Sequence, residues 1–194
     1  MTNRNPSSGQ AVDTTHPSTL PPSADESRTS AGSVAGVGIY LVGVSAASWA
    51  QGECAPLLNE ALAARGLPPY PGPPATAGNF EEKLAPSMDT FAELCARHDA
   101  TEFLDASLFV PADFPGLIDL PVENAHDDVT KVFSAQRLRA TIAPIAAEIG
   151  LPAGLPNGPM TLTTAIKDPL TFYVALFRQA AEHSLHHGCP LTYV

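Results

Sequence analysis

Residues 34–44 read VAGVGIYLVGV, an unbroken apolar and largely β-branched run. It does not alternate with polar residues, so it reads as a strand covered on both faces and not as one with a wet side. It therefore predicts a mixed α/β fold, with a small sheet, a central strand near residues 36–44 and about four flanking helices. Gly36 and Gly38 precede the core of the strand. A dinucleotide-binding fingerprint needs its glycines after the strand, where they open a helix, so this G-x-G is no nucleotide site. No charge falls between Arg28 and Glu53, but the strongly apolar part spans only residues 37–44. That is far short of the ~20 residues a helix needs to cross a bilayer, and no membrane span is expected.

Residues 1–33 are rich in Ser, Thr, Pro and Asn, with Leu20 the one large aliphatic side chain after Met1. Such a segment buries too little surface to offset its ordering entropy, so a disordered N-terminal tail is expected. It lacks a basic region followed by an apolar run, and no signal peptide is expected. The remainder, 34–194, is read as one globular α/β domain. Its 20 prolines predict long irregular connections.

After a loop over 45–55, Pro56 opens a helix to residue 65, and Gly66 ends it. That loop lies at the carboxyl end of the first strand, where open α/β sheets bind ligands, which makes Trp49, Glu53 and Cys54 candidates. Residues 67–78, LPPYPGPPATAG, read as a stiff proline-rich surface connection. Helical spacing of Met88, Phe91, Leu94, Cys95 and His98 predicts a helix over 87–98 capped by Ser87. Residues 103–110 and 129–133 read as strands, with a proline-bearing acidic loop over 111–124. Ser134 caps a helix to about residue 149, with Leu138, Ile142, Ile145 and Ile149 as its apolar stripe and Pro144 expected to kink or split it. A short strand is expected over 160–166. Asp168-Pro169 starts the last helix, Gly188 stops it, and 189–194 form a final strand.

Charge is the feature that bears most on function. From residue 79 to 128 there are twelve acidic residues against Lys83 and Arg97, and this segment carries the whole net charge of −10. Ten Lys and Arg in all are too few for a nucleic-acid footprint. A field of one sign steers a partner of the other, so a basic protein is the expected partner. The residues expected to meet it are Asp113, Phe114, Asp119, Glu123, Asp127 and Asp128. Phe114, with Phe109 and Leu117, is the expected apolar anchor. As a small acidic α/β chain, the protein resembles in outline the immunity-type proteins that neutralise toxin nucleases. The resemblance covers no specific motif; it implies a non-catalytic binding role and assigns no residue.

Two other classes stay open. His183, His186, His187 and Cys189 are the densest group of metal-capable side chains, and zinc takes nitrogen and sulfur ligands at such spacing. A metal-binding domain or metalloenzyme would use them, with Cys95 and His98 as a second half-site. Histidines in a last helical turn also complement the helix dipole, which needs no metal. The loop ENAHDD, 123–128, lacks the spacing of a calcium loop. A structural subunit with a flexible arm is the third class, with the final strand pairing across subunits through an open edge. The sequence has no G-x-S-x-G and no phosphate-binding loop, so no enzyme class and no cofactor is assigned. Cys54, Cys95 and Cys189 are odd in number and far apart, which suits reduced thiols in the cytoplasm.

Overall fold

In the computed structural model, which describes residues 39–84, 87–151 and 168–194, the apolar run becomes strand β1, Tyr40–Gly43. The other strands are β2 (Glu81–Lys83), β3 (Leu108–Val110), β4 (Ile118–Leu120), β5 (Thr130–Ser134) and β6 (Leu191–Tyr193). Among the described residues they form one mixed sheet in the order β2-β1-β6-β3-β5-β4, parallel only between β3 and β5. Five α-helices are seen among the described residues: α1 (Ala46–Gln51), α2 (Cys54–Ala64), α3 (Asp89–Arg97), α4 (Ala135–Glu148) and α5 (Pro169–His187). These elements belong to one compact unit, Val37–Val194, and the fold is mixed α/β. The expected tail over 1–33 and the expected strand over 160–166 lie outside the described residues.

The pleat sorts side chains into two cores. On one face Leu41, Phe109, Phe133 and Leu191 meet α3, α4 and α5. On the other, Leu108, Val110, Ile118, Leu120 and Val132 meet Leu58 and Leu62 of α2, together with Trp49 and Tyr70. Helix α5 is buried along most of its length, from Phe172 to Phe177 and again at Ala180, Ala181 and Ser184. Phe177 is its hub. The ring stacks on Phe91 at 5.4 Å and 7°, and meets Phe103 and Phe109 edge-on at 5.2 and 6.1 Å.

Local signals held where a side chain closes its own helix. Ser134 accepts from Arg137 N at 3.2 Å, and Asp168 accepts from Thr171 N at 2.9 Å. Gly188 takes the left-handed conformation (φ 60°) that ends α5, which a Cβ would disfavour. Removing the α4 cap by Ser134→Ala is expected to cost about 1 kcal/mol, read as a lower chemical-denaturation midpoint. Pro144 leaves α4 unsplit: the helix runs from Ala135 to Glu148 through it.

Elsewhere the structure corrects the sequence reading. β1 is an interior strand, but β6 and β3 hold the centre of the sheet. Most of the expected 45–55 loop is helix α1, capped by Ser45, which accepts from Ser48 N at 3.1 Å. Ser87 does not cap α3: it sits at φ 68° and donates to Asp89 Oδ2, and Met88 takes the cap position without a side-chain bond. Residues Glu102–Asp105 form a 3-10 turn, so strand β3 starts only at Leu108. The expected 111–124 loop contains β4. The final strand, β6, has no open edge, because β1 and β3 pair with its two sides.

Candidate functional site

Among the described residues, strand β4 is one edge of the sheet and bonds only to β5. Ile118 and Leu120 point into the core, so the pleat turns Asp119 outward, where it is exposed. Lys131 of β5 lies opposite it in register. The connection to β5, residues 121–129, carries Glu123, Asp127 and Asp128, all exposed. These four carboxylates therefore share one edge.

Asn124 builds that connection, and the sequence reading passed over it. Its Oδ1 accepts from His126 N and Asp127 N at 2.9 and 3.1 Å. Its own backbone N–H donates to Asp127 O at 2.9 Å. Its Nδ2 donates to Val129 O at 3.0 Å and reaches Ser107 and Thr130 hydroxyls at 3.4 and 3.5 Å. The turn is thus closed on itself and anchored to β3 and β5. The signal was present: Asn bonding the backbone two residues on is the ordinary Asx turn, and Asn124 stands two before His126.

Two expected partner-contact residues do different work. Asp113 accepts from Arg137 Nε at 2.8 Å, so its charge is largely answered within the chain. Phe114 is 0% exposed and belongs to the core beneath α2, so it is no surface anchor. Phe109 is also fully buried, and Leu117 is half-buried against the other core. Arg65 fixes the chain entering β4 by donating to Pro115 O and Leu117 O at 2.8 and 2.9 Å.

The histidines sit at the far end of α5. His183 and His187 rings are 4.4 Å apart, and His186 and His187 rings 4.7 Å. Cys189 does not join them: its thiol is buried and donates to Val44 O at 3.3 Å. Burial pushes that thiol above its ordinary value, away from the thiolate a metal would need. His183 Nε2 faces Gly78 O at 3.1 Å. Among the described residues no group of three or more His, Cys, Asp or Glu side chains is placed to hold a metal ion.

The remaining candidates are separated too. Cys95 is fully buried with its pKa raised to about 11 by desolvation, while His98 caps α3 and pairs with Glu148 of α4. Cys54 is half-buried with a raised pKa, first from desolvation, and Trp49 packs edge-on against Tyr70 at 5.3 Å. Trp49 belongs to the core beneath α2, and Cys54 packs against that same core. No helix among the described residues is long and apolar enough to cross a membrane. No family model, curated protein or solved structure matches the chain.

Proposed function

We propose that this chain is a non-catalytic binding protein, of the immunity or antitoxin-like neutralising kind, whose acidic edge engages a basic protein. The observation that carries the reading is the joint placement of Asp119, Glu123, Asp127 and Asp128 at the β4 edge on a turn held by Asn124. A fixed turn presents its charges without the ordering cost a loose loop meets on binding. With Phe114 in the core, the contact is polar at its centre. It should form fast, weaken steeply with salt and draw its selectivity from charge. The three cysteines are free thiols, in keeping with work in the reducing cytoplasm.

The test replaces Asp119, Glu123, Asp127 and Asp128 together by lysine. Asp113 is left alone, since reversing it would also break its pair with Arg137. The wild-type chain should retain a basic protein from its native host at low salt and release it as salt rises. The variant should associate with that protein on the order of 10–100-fold more slowly. Unchanged rate and salt dependence in the variant, or the absence of any basic protein on the wild-type chain, would overturn the reading.

A further inference from the structure

The two edges of the sheet are built differently. In an antiparallel pair, alternate residues turn both backbone polar groups toward the neighbouring strand, and the residues between turn them away. Lys131 of β5 turns its groups toward β3: its N–H donates to Ser107 Oγ at 3.0 Å, and its carbonyl accepts from Ser107 N at 2.9 Å. Strand β5 therefore bonds β4 through Thr130 and Val132, opposite Leu120 and Ile118. Asp119, opposite Lys131, turns its N–H and C=O outward. That edge is blunted on both sides of Asp119. The Leu117 carbonyl, which the alternation also sends outward, accepts from Arg65 Nη2 at 2.9 Å, and Pro121 has no N–H to offer. A copy laid symmetrically on Asp119 would also face it with a second carboxylate.

Strand β2, the opposite edge, carries no such block among the described residues. Phe80 O accepts from Gly43 N and Leu84 N donates to Ile39 O, both at 2.9 Å, so the even-numbered residues bond β1. Glu81 and Lys83 then turn their N–H and C=O away from the sheet, and their side chains are exposed. Such a pair of residues, two apart, is what one more antiparallel strand needs.

We propose that β2 is a self-pairing edge: two copies of this chain join β2 to β2, antiparallel, about a twofold axis at Glu82, and make one continuous sheet. In that register Glu81 lies opposite Lys83 of the copy, and Lys83 opposite its Glu81. Both are pairs that exchange two N–H···O bonds, so backbone and charge are satisfied by the same alignment. Charge also selects the register, because an axis at Glu81 or at Lys83 would set like charges against each other. Phe80 and Leu84, both half-buried, meet across the same axis. Glu82 meets its own copy, but its side chain is 2% exposed and partnered within its own chain. The placement of Lys83 supports the pairing. Lys83 and Arg97 are the two bases between residues 79 and 128. Arg97 meets Glu148 within the chain at 3.3 Å, whereas Lys83 stands on the open edge, its ammonium 6.0 Å from the centre of the Tyr40 ring. The acid of a copy would arrive there. The interface is isologous, so it closes at two chains. It leaves β4 at the far end of each copy, and it does not depend on what β4 binds.

The experiment measures sedimentation and amide exchange of the full chain over a rising series of concentrations. The average mass should climb from one chain toward two. Amide exchange at Glu81 and Lys83 should slow in step, while Asp119 stays fast. Lys83→Glu sets Glu against Glu across the axis, and Glu81→Lys sets Lys against Lys. Each alone should weaken the dimer at least about 10-fold. Mixed in equal parts, the two variants restore opposite charges at both pairs and should associate as the wild type does. Both positions are exposed, so the circular dichroism of each variant should match the wild type. The exchange measurement on the wild type requires no substitution and decides the matter even where a variant fails to fold. A mass of one chain at every concentration, exchange at Glu81 and Lys83 that ignores concentration, single variants that pair like the wild type, or no association in the mixture would each overturn the self-pairing edge.

Discussion

Replacing Phe177 by alanine is expected to lower the stability of the domain by about 3–5 kcal/mol. The side chain is fully buried and makes three ring contacts, with Phe91 of α3, Phe103 of the 3-10 turn and Phe109 of β3. The alanine would leave a void walled by aromatic rings that α3 and β3 cannot both move to fill, since β3 is tied into the sheet on both sides. Edge-on and offset ring pairs add their own ~0.5–1.5 kcal/mol to the lost burial. Against a stability of about 5–15 kcal/mol for an ordinary domain, this loss is a large share. Thermal unfolding followed by circular dichroism should show a fall on the order of 10 °C. Phe177→Leu, which keeps most of the volume, should recover the larger part. A drop of only a degree or two in the alanine variant would mean that the helix layer is held to the sheet by contacts other than this cluster.

What could be read from the sequence was what a few neighbouring residues decide among themselves. Ser134 and Asp168 cap helices with their own side chains, and Gly188 ends one by its φ. Each is a property of a few residues, and each stands in the structure where it was expected. The failures are elements too short to have a period. β4 is three residues, IDL, inside a proline-bearing stretch, and its alternation is a single out-facing position between two buried ones. Helix α1 has six residues and one large apolar side chain, Trp49. Ser87 looked like a cap by composition, but its positive φ turns its hydroxyl to the side chain of Asp89.

The site was legible in its charges and not in its burial. Asp119, Glu123, Asp127 and Asp128 are exposed, as acidic residues usually are. Phe114 was misplaced because its neighbours Asp113 and Pro115 are surface residues, and nothing local shows that α2 lies over it. Its burial is made by Leu58 and Leu62, more than fifty positions earlier. The same holds for the histidines. Helical spacing put His183 and His187 on one face, but Gly78, which meets them, arrives from a strap 105 residues away from His183. Metal spacing and strap contact look identical until that strap is placed.

The acidic edge depends on a residue with no charge, and Asn124→Ala should show it. The substitution removes the acceptor for His126 N and Asp127 N and the donor to Val129 O and the Ser107 and Thr130 hydroxyls. The bonds with Asp127 N and Val129 O close the turn and the contact with the Thr130 hydroxyl reaches β5, and Asn124 is half-buried, so water replaces them only in part. The expected cost is about 2 kcal/mol. Its distribution is the informative part. Ser107 keeps its own bond to Lys131 N at 3.0 Å and Thr130 keeps its bond to Val122 O at 2.8 Å, so β3, β5 and the core should stay in register. Loss should concentrate in residues 121–129, seen as faster amide exchange at His126 and Asp127 with little change at Val132 or Phe133. The four carboxylates would then remain in number but not in place. If a rigid acidic surface is what a basic partner reads, Asn124→Ala should slow association less than charge reversal does, because the long-range field survives, yet speed dissociation, because the bound arrangement must be ordered afresh. Equal exchange protection at His126 and Asp127 in both chains would show that the turn holds without its asparagine, and the acidic edge would then owe its form to β4 and β5 alone.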